Sequence, residues 1–158
     1  MKRMDNTLLV RAAAAEALDA DPAAVVTLLA DLDGLTCNRS TFRQGADGAP
    51  PHFHTRASEL FFVLDGSLEV LLGQEVVVLE RGDFLVVPPG VPHAFGAAGG
   101  ADADVLFVFT PGMGRFDYYR LLDRVQRGQA NAEEIAASQD RFDNHYVDSP
   151  VWKAARAR

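Results

Sequence analysis

GADGAPPHFHTRASELFFVLDG, residues 45–66, is the stretch that decides how this chain of 158 residues is read. It places His52 and His54 one residue apart, with Glu59 five residues further on. Side chains two apart on an extended strand point to the same face, so both imidazoles face one way. Residues 55–58 leave room for a bend before the next strand. A second stretch, GDFLVVPPGVPHAF at residues 82–95, supplies His93. Three imidazoles and a carboxylate make a complete ligand set for a divalent transition metal. Only a closed β fold carries His93 across the intervening chain to join the other three.

The flanking pattern agrees with such a fold. Residues 59–64 read as a strand, and Asp65-Gly66 as a two-residue hairpin turn into a partner over 67–72. Gly73-Gln74 then turns into a strand over 76–80, and Arg81-Gly82-Asp83 into another over 84–87. Pro88-Pro89-Gly90 stops that strand, because proline has no N–H for a ladder. Short strands follow at 93–95 and 105–109. Upstream, residues 25–29 and 35–42 read as strands around an Asp33-Gly34 turn. The alanine-rich run at 10–18 has helix propensity but no apolar stripe, and Asp21-Pro22 closes it. Downstream, residues 116–127 repeat apolar side chains at helical spacing, with Gly128 as the cap, and 132–139 read as a second helix. Residues 140–152 carry no assignable pattern.

Composition narrows the function. Lys and Arg number 15 against 22 Asp and Glu, a net charge of −7, and no basic block occurs. Nucleic acid and anionic membrane are therefore excluded as expected partners. A hydrophobic fraction of 48% and a charged fraction of 23% suit one soluble globular domain. The single cysteine, Cys37, has no basic neighbours and reads as packing, and its isolation fits a reducing compartment. Lys2 and Arg3 followed by alanines suggest a signal peptide, but Asp5, Arg11 and Glu16 interrupt the apolar region one requires. No apolar run is long enough to span a membrane. A cytoplasmic protein is expected.

Taken together, the two motifs resemble those of the cupin superfamily, G-x5-H-x-H-x3/4-E-x6-G and G-x5-P-x-G-x2-H-x3-N. Gly45, His52, His54, Glu59 and Gly66 match the first, with six residues instead of five before His52. Gly82, Pro88, Gly90 and His93 match the second, and Ala97 replaces its closing asparagine. The resemblance implies an all-β double-stranded β-helix, the cupin jelly-roll barrel, with a short C-terminal helical extension. It divides the chain into N-terminal strands and dimerisation segment at 1–44, barrel core at 45–110, and helices and tail at 111–158, one domain overall. It implies one divalent transition metal per chain, Fe, Mn, Ni, Co, Cu or Zn, held by His52, His54, Glu59 and His93. It also implies N-terminal strands that pair across a homodimer, which suits the many strands apolar on both faces, and it turns the alanine run into strand and loop.

A divalent ion with three neutral imidazoles and one carboxylate carries a net charge near +1 and favours an anionic oxygen donor. The partner expected is a small molecule. Phe61, Phe62, Phe95, Phe107 and Phe109 supply barrel core and, in part, an aromatic wall for it. The resemblance extends to quercetin-dioxygenase-type bacterial cupins, which makes oxygenation of an enolisable or phenolic aromatic molecule the expected reaction, with Glu59 as base. A metal-dependent polyketide cyclase or isomerase and a non-catalytic small-molecule binder are the alternatives. Tyr118 and Tyr119 are expected to pack the helix, and His145 to be structural or on the surface.

Overall fold

The computed structural model describes residues 6–157. Lys2, Arg3 and Asp5, which entered the reading of the N-terminus, lie outside them. The strands are β1 (Ala17–Leu18), β2 (Ala24–Asp31), β3 (Thr36–Phe42), β4 (His52–Phe53), β5 (Ser58–Leu72), β6 (Glu75–Glu80), β7 (Phe84–Val87), β8 (His93–Ala97), β9 (Ala103–Thr110) and β10 (His145–Tyr146). The helices are α1 (Phe116–Gln126), α2 (Ala132–Ala137), α3 (Gln139–Phe142) and α4 (Pro150–Arg156). All strand pairings are antiparallel. One sheet runs β1-β2-β3-β9-β5-β7, and the other β6-β5-β8-β4-β10, so β5 belongs to both. The fold is the expected all-β barrel with short helices at its C-terminal end.

That shared strand corrects the reading of Asp65-Gly66. The chain does not fold back there. Residues 58–66 pair with β9 and, over 59–62, with β7, whereas residues 67–72 pair with β6 and β8. A register shift between Val63 and Asp65 bends the strand from one sheet into the other. Gly66 permits this with a φ of 74°, and a Cβ at that position would lie 2.0 Å from the carbonyl oxygen of Asp102. Aspartate-glycine between apolar runs is a hairpin signal locally, but the partners that override it lie on strands far along the chain. The true two-residue hairpin is Gly73-Gln74, joining Leu72 to Glu75.

The alanine run is a 3-10 turn at Ala12–Ala14 followed by β1, not a helix, because Ala17 and Leu18 take ladder positions opposite Thr27 and Val26. Among the described residues β1 pairs with β2 and forms one edge of that sheet. The unassigned tail holds α3, β10 and α4.

Alternation along the strands separates two faces. Phe61, Val63, Val105 and Phe107 point into the barrel with Leu68 and Val70 and are buried. Each such side chain contributes about 1.5–3 kcal/mol by leaving water. β3 differs, because its inward side chains Thr36, Asn38 and Ser40 are polar. Phe62, expected among the inner aromatics, lies on the outer face and is 39% exposed.

Candidate metal centre

Each of the four predicted ligands reaches the barrel interior by a different route. His52 on β4 sits directly opposite His93 on β8. Glu59 on β5 is flanked by Val87 of β7 and Phe109 of β9. His54 follows β4 in the loop that leads to β5. All four are buried, and one ligand atom from each lies within 4.8 Å of the others. The intervening Phe53 points the opposite way and stacks on His145 at 5.1 Å.

Backbone carbonyls fix the orientation of all three rings. Nδ1 of His52 lies 2.6 Å from the Pro50 oxygen, that of His54 2.7 Å from the Asp143 oxygen, and that of His93 2.9 Å from the Val91 oxygen. Each Nδ1–H donates to its carbonyl, which directs each Nε2 inward, the orientation a metal ligand requires. The Glu59 Oε2 lies 3.2 Å from His54 Nε2 and 2.6 Å from His93 Nε2. Ligand atoms about 2.1 Å from one cation and at right angles lie about 3 Å apart, so this spacing suits the edges of a coordination shell.

The electrostatics point the same way. Burial depresses the pKa of His52, and the neighbouring His93 and His54 lower it further. Burial opposes charge on Glu59, yet His93 and His54 outweigh it and hold the carboxyl well below its usual range. Burial likewise opposes charge on His93, but the Glu59 carboxylate overcomes this and raises its pKa. The contact between His93 Nε2 and Glu59 Oε2 thus lies in the place a cation would take. A hard-to-borderline set of three nitrogens and one oxygen, without thiolate, fits a divalent transition metal.

The cluster opens on a cavity of about 440 Å³. Phe95 and Phe107, with ring centroids 4.7 Å apart, wall one side. Tyr118 and Tyr119 of α1 and Tyr146 of β10 close the other. Tyr118 does pack against Leu121 and Phe142, as expected of a helix residue, but both α1 tyrosines also face the cavity. Their hydroxyls are engaged: Tyr119 donates to Asn38 Oδ1 at 3.1 Å, and the Tyr118 and Tyr146 hydroxyls lie 2.5 Å apart. Phe61 and Phe109 are core.

The sequence reading missed the contribution of the tail. Asp143, in the left-handed conformation at the end of α3, orients His54 through its carbonyl. Its carboxylate accepts from the Thr55 and Arg56 amides and lies 3.0 Å from His145 Nε2, and these contacts hold its pKa down to about 2 against burial. His145 is thus structural, as expected. Arg115, just before α1, is buried against Tyr118, with Nη2 donating to Asn144 Oδ1 at 3.1 Å. An aspartate able to take the left-handed conformation is the one local signal in FDNHY. Half-buried Cys37 has its pKa raised by burial and takes no part in the site.

Residues 38–109 match the family model described as Cupin domain. Over 49 residues, 31% of this chain and 14% of the relative, the chain is 41% identical to a quercetin 2,3-dioxygenase of Bacillus subtilis. Over 85 residues it is 33% identical to a germin-like protein of Arabidopsis thaliana, covering 49% of this chain and 37% of that one. The chain therefore spans well under half the length of either curated relative. Among solved structures, an RmlC-like cupin from Shewanella frigidimarina superposes with a TM-score of 0.57 at 20% identity, over 75% of this chain and 99% of that one.

Proposed function

We propose, the chain being a member of the cupin superfamily, that it is a metal-dependent enzyme that oxygenates an enolisable or phenolic aromatic small molecule. The observation that carries this reading is the buried His52, His54, Glu59, His93 cluster at the floor of an aromatic-walled cavity. A divalent ion held by these four residues supplies Lewis acidity toward an anionic oxygen and, for a redox-active metal, a route to dioxygen chemistry. The protein's own part is binding, orientation and proton transfer. Phe95 and Phe107 offer ring faces for an aromatic substrate to stack on. Tyr118 and Tyr119 of α1 and Tyr146 of β10 line the cavity beside them. Glu59, an anion in the barrel, is the candidate acceptor for the proton of a substrate hydroxyl. The partial identity to a quercetin dioxygenase supports oxygenation over the cyclase and binder alternatives.

The test is elemental analysis of protein purified without chelator, followed by oxygen-electrode assays with flavonols, catechols and β-diketones. One transition-metal ion per chain and oxygen uptake with one of these classes are the expected results. Turnover without oxygen uptake would favour the Lewis-acid cyclase, and ligand binding without turnover the binder.

We also propose a homodimer, resident in the cytoplasm. The outer face of β5 and β7 pairs Phe62 with Phe84 and Leu60 with Val86, and Phe84 and Val86 are 59% and 48% exposed. The N-terminal strands contribute Val25 and Thr27 to the same sheet. A stable dimer buries on the order of 1,000 Å² or more. Light scattering at micromolar concentration should give twice the chain mass, and Phe84→Asp should halve it. A monomeric parent protein would overturn the proposal. Cytoplasmic residence rests on the single, half-buried cysteine. Among the described residues no helix is long and apolar enough to cross a membrane.

A further inference from the structure

We propose that the substrate carries an uncharged alkyl chain, which lies in an aliphatic trough between α1 and strands β1 and β2. The inference deepens the functional reading above and rests on it only for the end of the substrate that meets the metal.

Strand register places the trough relative to the ligands. Glu59 pairs with Phe109, and Phe109 with Thr36. Further along β3, Ser40 pairs with Val26, and Val26 with Leu18. At about 3.3 Å per residue this second row lies about 13 Å from the Glu59 row. Thr36 and Ser40 are an even number of residues apart, so both rows face the same side of the sheet. α1 runs outward over the same span. Tyr119 donates to Asn38, between the two rows, whereas Asp123, a turn further on, accepts from the Ala20 amide at 3.0 Å.

The cavity that reaches His52 and Glu59 extends along this line. Its walls there are Leu18, Ala24 and Val26 on one side and Leu122, Val125 and Ile135 on the other. Each of these is half-buried and so keeps surface that a ligand can cover. Leu122, Val125 and Ile135 pack onto the cluster of Tyr118, Leu121 and Phe142, and Ala24 onto the separate barrel core. Polar contacts at the rim set the spacing between the two sides. Arg120 pairs with Glu16 at 2.8 Å, Arg127 with Asp19 at 2.8 Å, and Asp123 with the Ala20 amide. α1 is thereby fixed over β1 without the two apolar clusters merging. Apolar surface facing water inside a cavity favours a ligand that displaces the water. Aromatic rings wall the cavity beside the ligands, but the half-buried lining of the trough is aliphatic, which suits an alkyl chain. The charged side chains at its outer end, Asp21 and Asp123, are acidic and select against an anionic tail.

The probes are catechol and its 4-methyl, 4-propyl and 4-hexyl derivatives. Binding is measured by calorimetry under argon on the full chain, with its metal content determined, before and after chelator. Affinity should rise along the series, by about fourfold for each methylene that enters the trough. Val26→Thr keeps the side-chain shape and adds a hydroxyl to one wall. Val125→Gln places an amide in the other, at a half-buried helical position that accommodates it. Either should weaken 4-hexylcatechol about fivefold or more and leave catechol within about twofold. Affinity that does not change with chain length overturns the inference, as does a rise that survives in whichever variant folds. Flat affinity in a metal-loaded chain that binds catechol overturns the trough alone. A rise that is lost in the variants, in a chain that binds no metal, overturns the metal reading and leaves the trough standing.

Discussion

His93→Ala is expected to leave the protein unable to hold a metal ion. His93 lies opposite His52 and donates or shares the 2.6 Å contact with Glu59, so its loss removes one ligand and loosens a second. A ligand that binds only the folded state, present at about a thousand times its dissociation constant, stabilises that state by about 4 kcal/mol. For a chain of this size each kcal/mol moves the thermal midpoint by roughly 2–4 °C. The parent protein should therefore gain about 8–16 °C on adding its metal, and His93→Ala should gain nothing. His52→Ala should behave alike. Metal content and unfolding curves with and without added ion measure this without any substrate. Full occupancy and a full midpoint rise in His93→Ala would remove His93 from the ligand set.

Glu59→Gln is expected to separate metal binding from proton transfer. The amide keeps an oxygen that coordinates more weakly, so part of the metal should remain. The amide cannot accept a substrate proton at ordinary pH. Loss of a general base costs on the order of 10²–10⁴ in rate. His93 and His54 hold the Glu59 carboxyl well below its usual range, which keeps it ionised but makes it a weaker proton acceptor than an ordinary carboxylate. Metal content and turnover are to be measured in the same preparations, with a substrate found by the oxygen assays. A fully loaded Glu59→Gln protein working at near parental rate would restrict Glu59 to the role of ligand.

The centre was legible because its signal is local. His52, His54 and Glu59 lie within eight residues, and the strand period alone aligns the two imidazoles. His93 was legible through the Gly82, Pro88 and Gly90 spacing around it. The strands β2, β3, β6, β7, β8 and β9 could be read from alternation and turn residues, with errors of one or two positions at their ends, whereas β5 was split in two and β10 carried no pattern. What failed was whatever depends on distant partners. Asp65-Gly66 satisfies every local rule for a hairpin, and only β7 and β9 show that the strand continues. Phe62 was grouped with its inward neighbours because a run apolar on both faces does not say which face is inside. Arg115, Asp143 and Asn144 sit in polar stretches with no periodicity, and their roles exist only once the tail lies across the barrel mouth.

The carbonyl that orients His54 belongs to Asp143, so the order in which the chain is synthesised matters to its chemistry. A nascent chain grown as far as residue 110 already carries all four ligand side chains and every strand of the barrel except β10. Its His54 still has no acceptor for Nδ1–H, so either nitrogen can hold the proton. The imidazole becomes a committed donor only after translation has passed residue 143 and α3 has docked. The fixed orientation of His54 is thus completed only by the tail, and a chain cut before residue 143 would hold the same four ligand side chains with one of them unoriented.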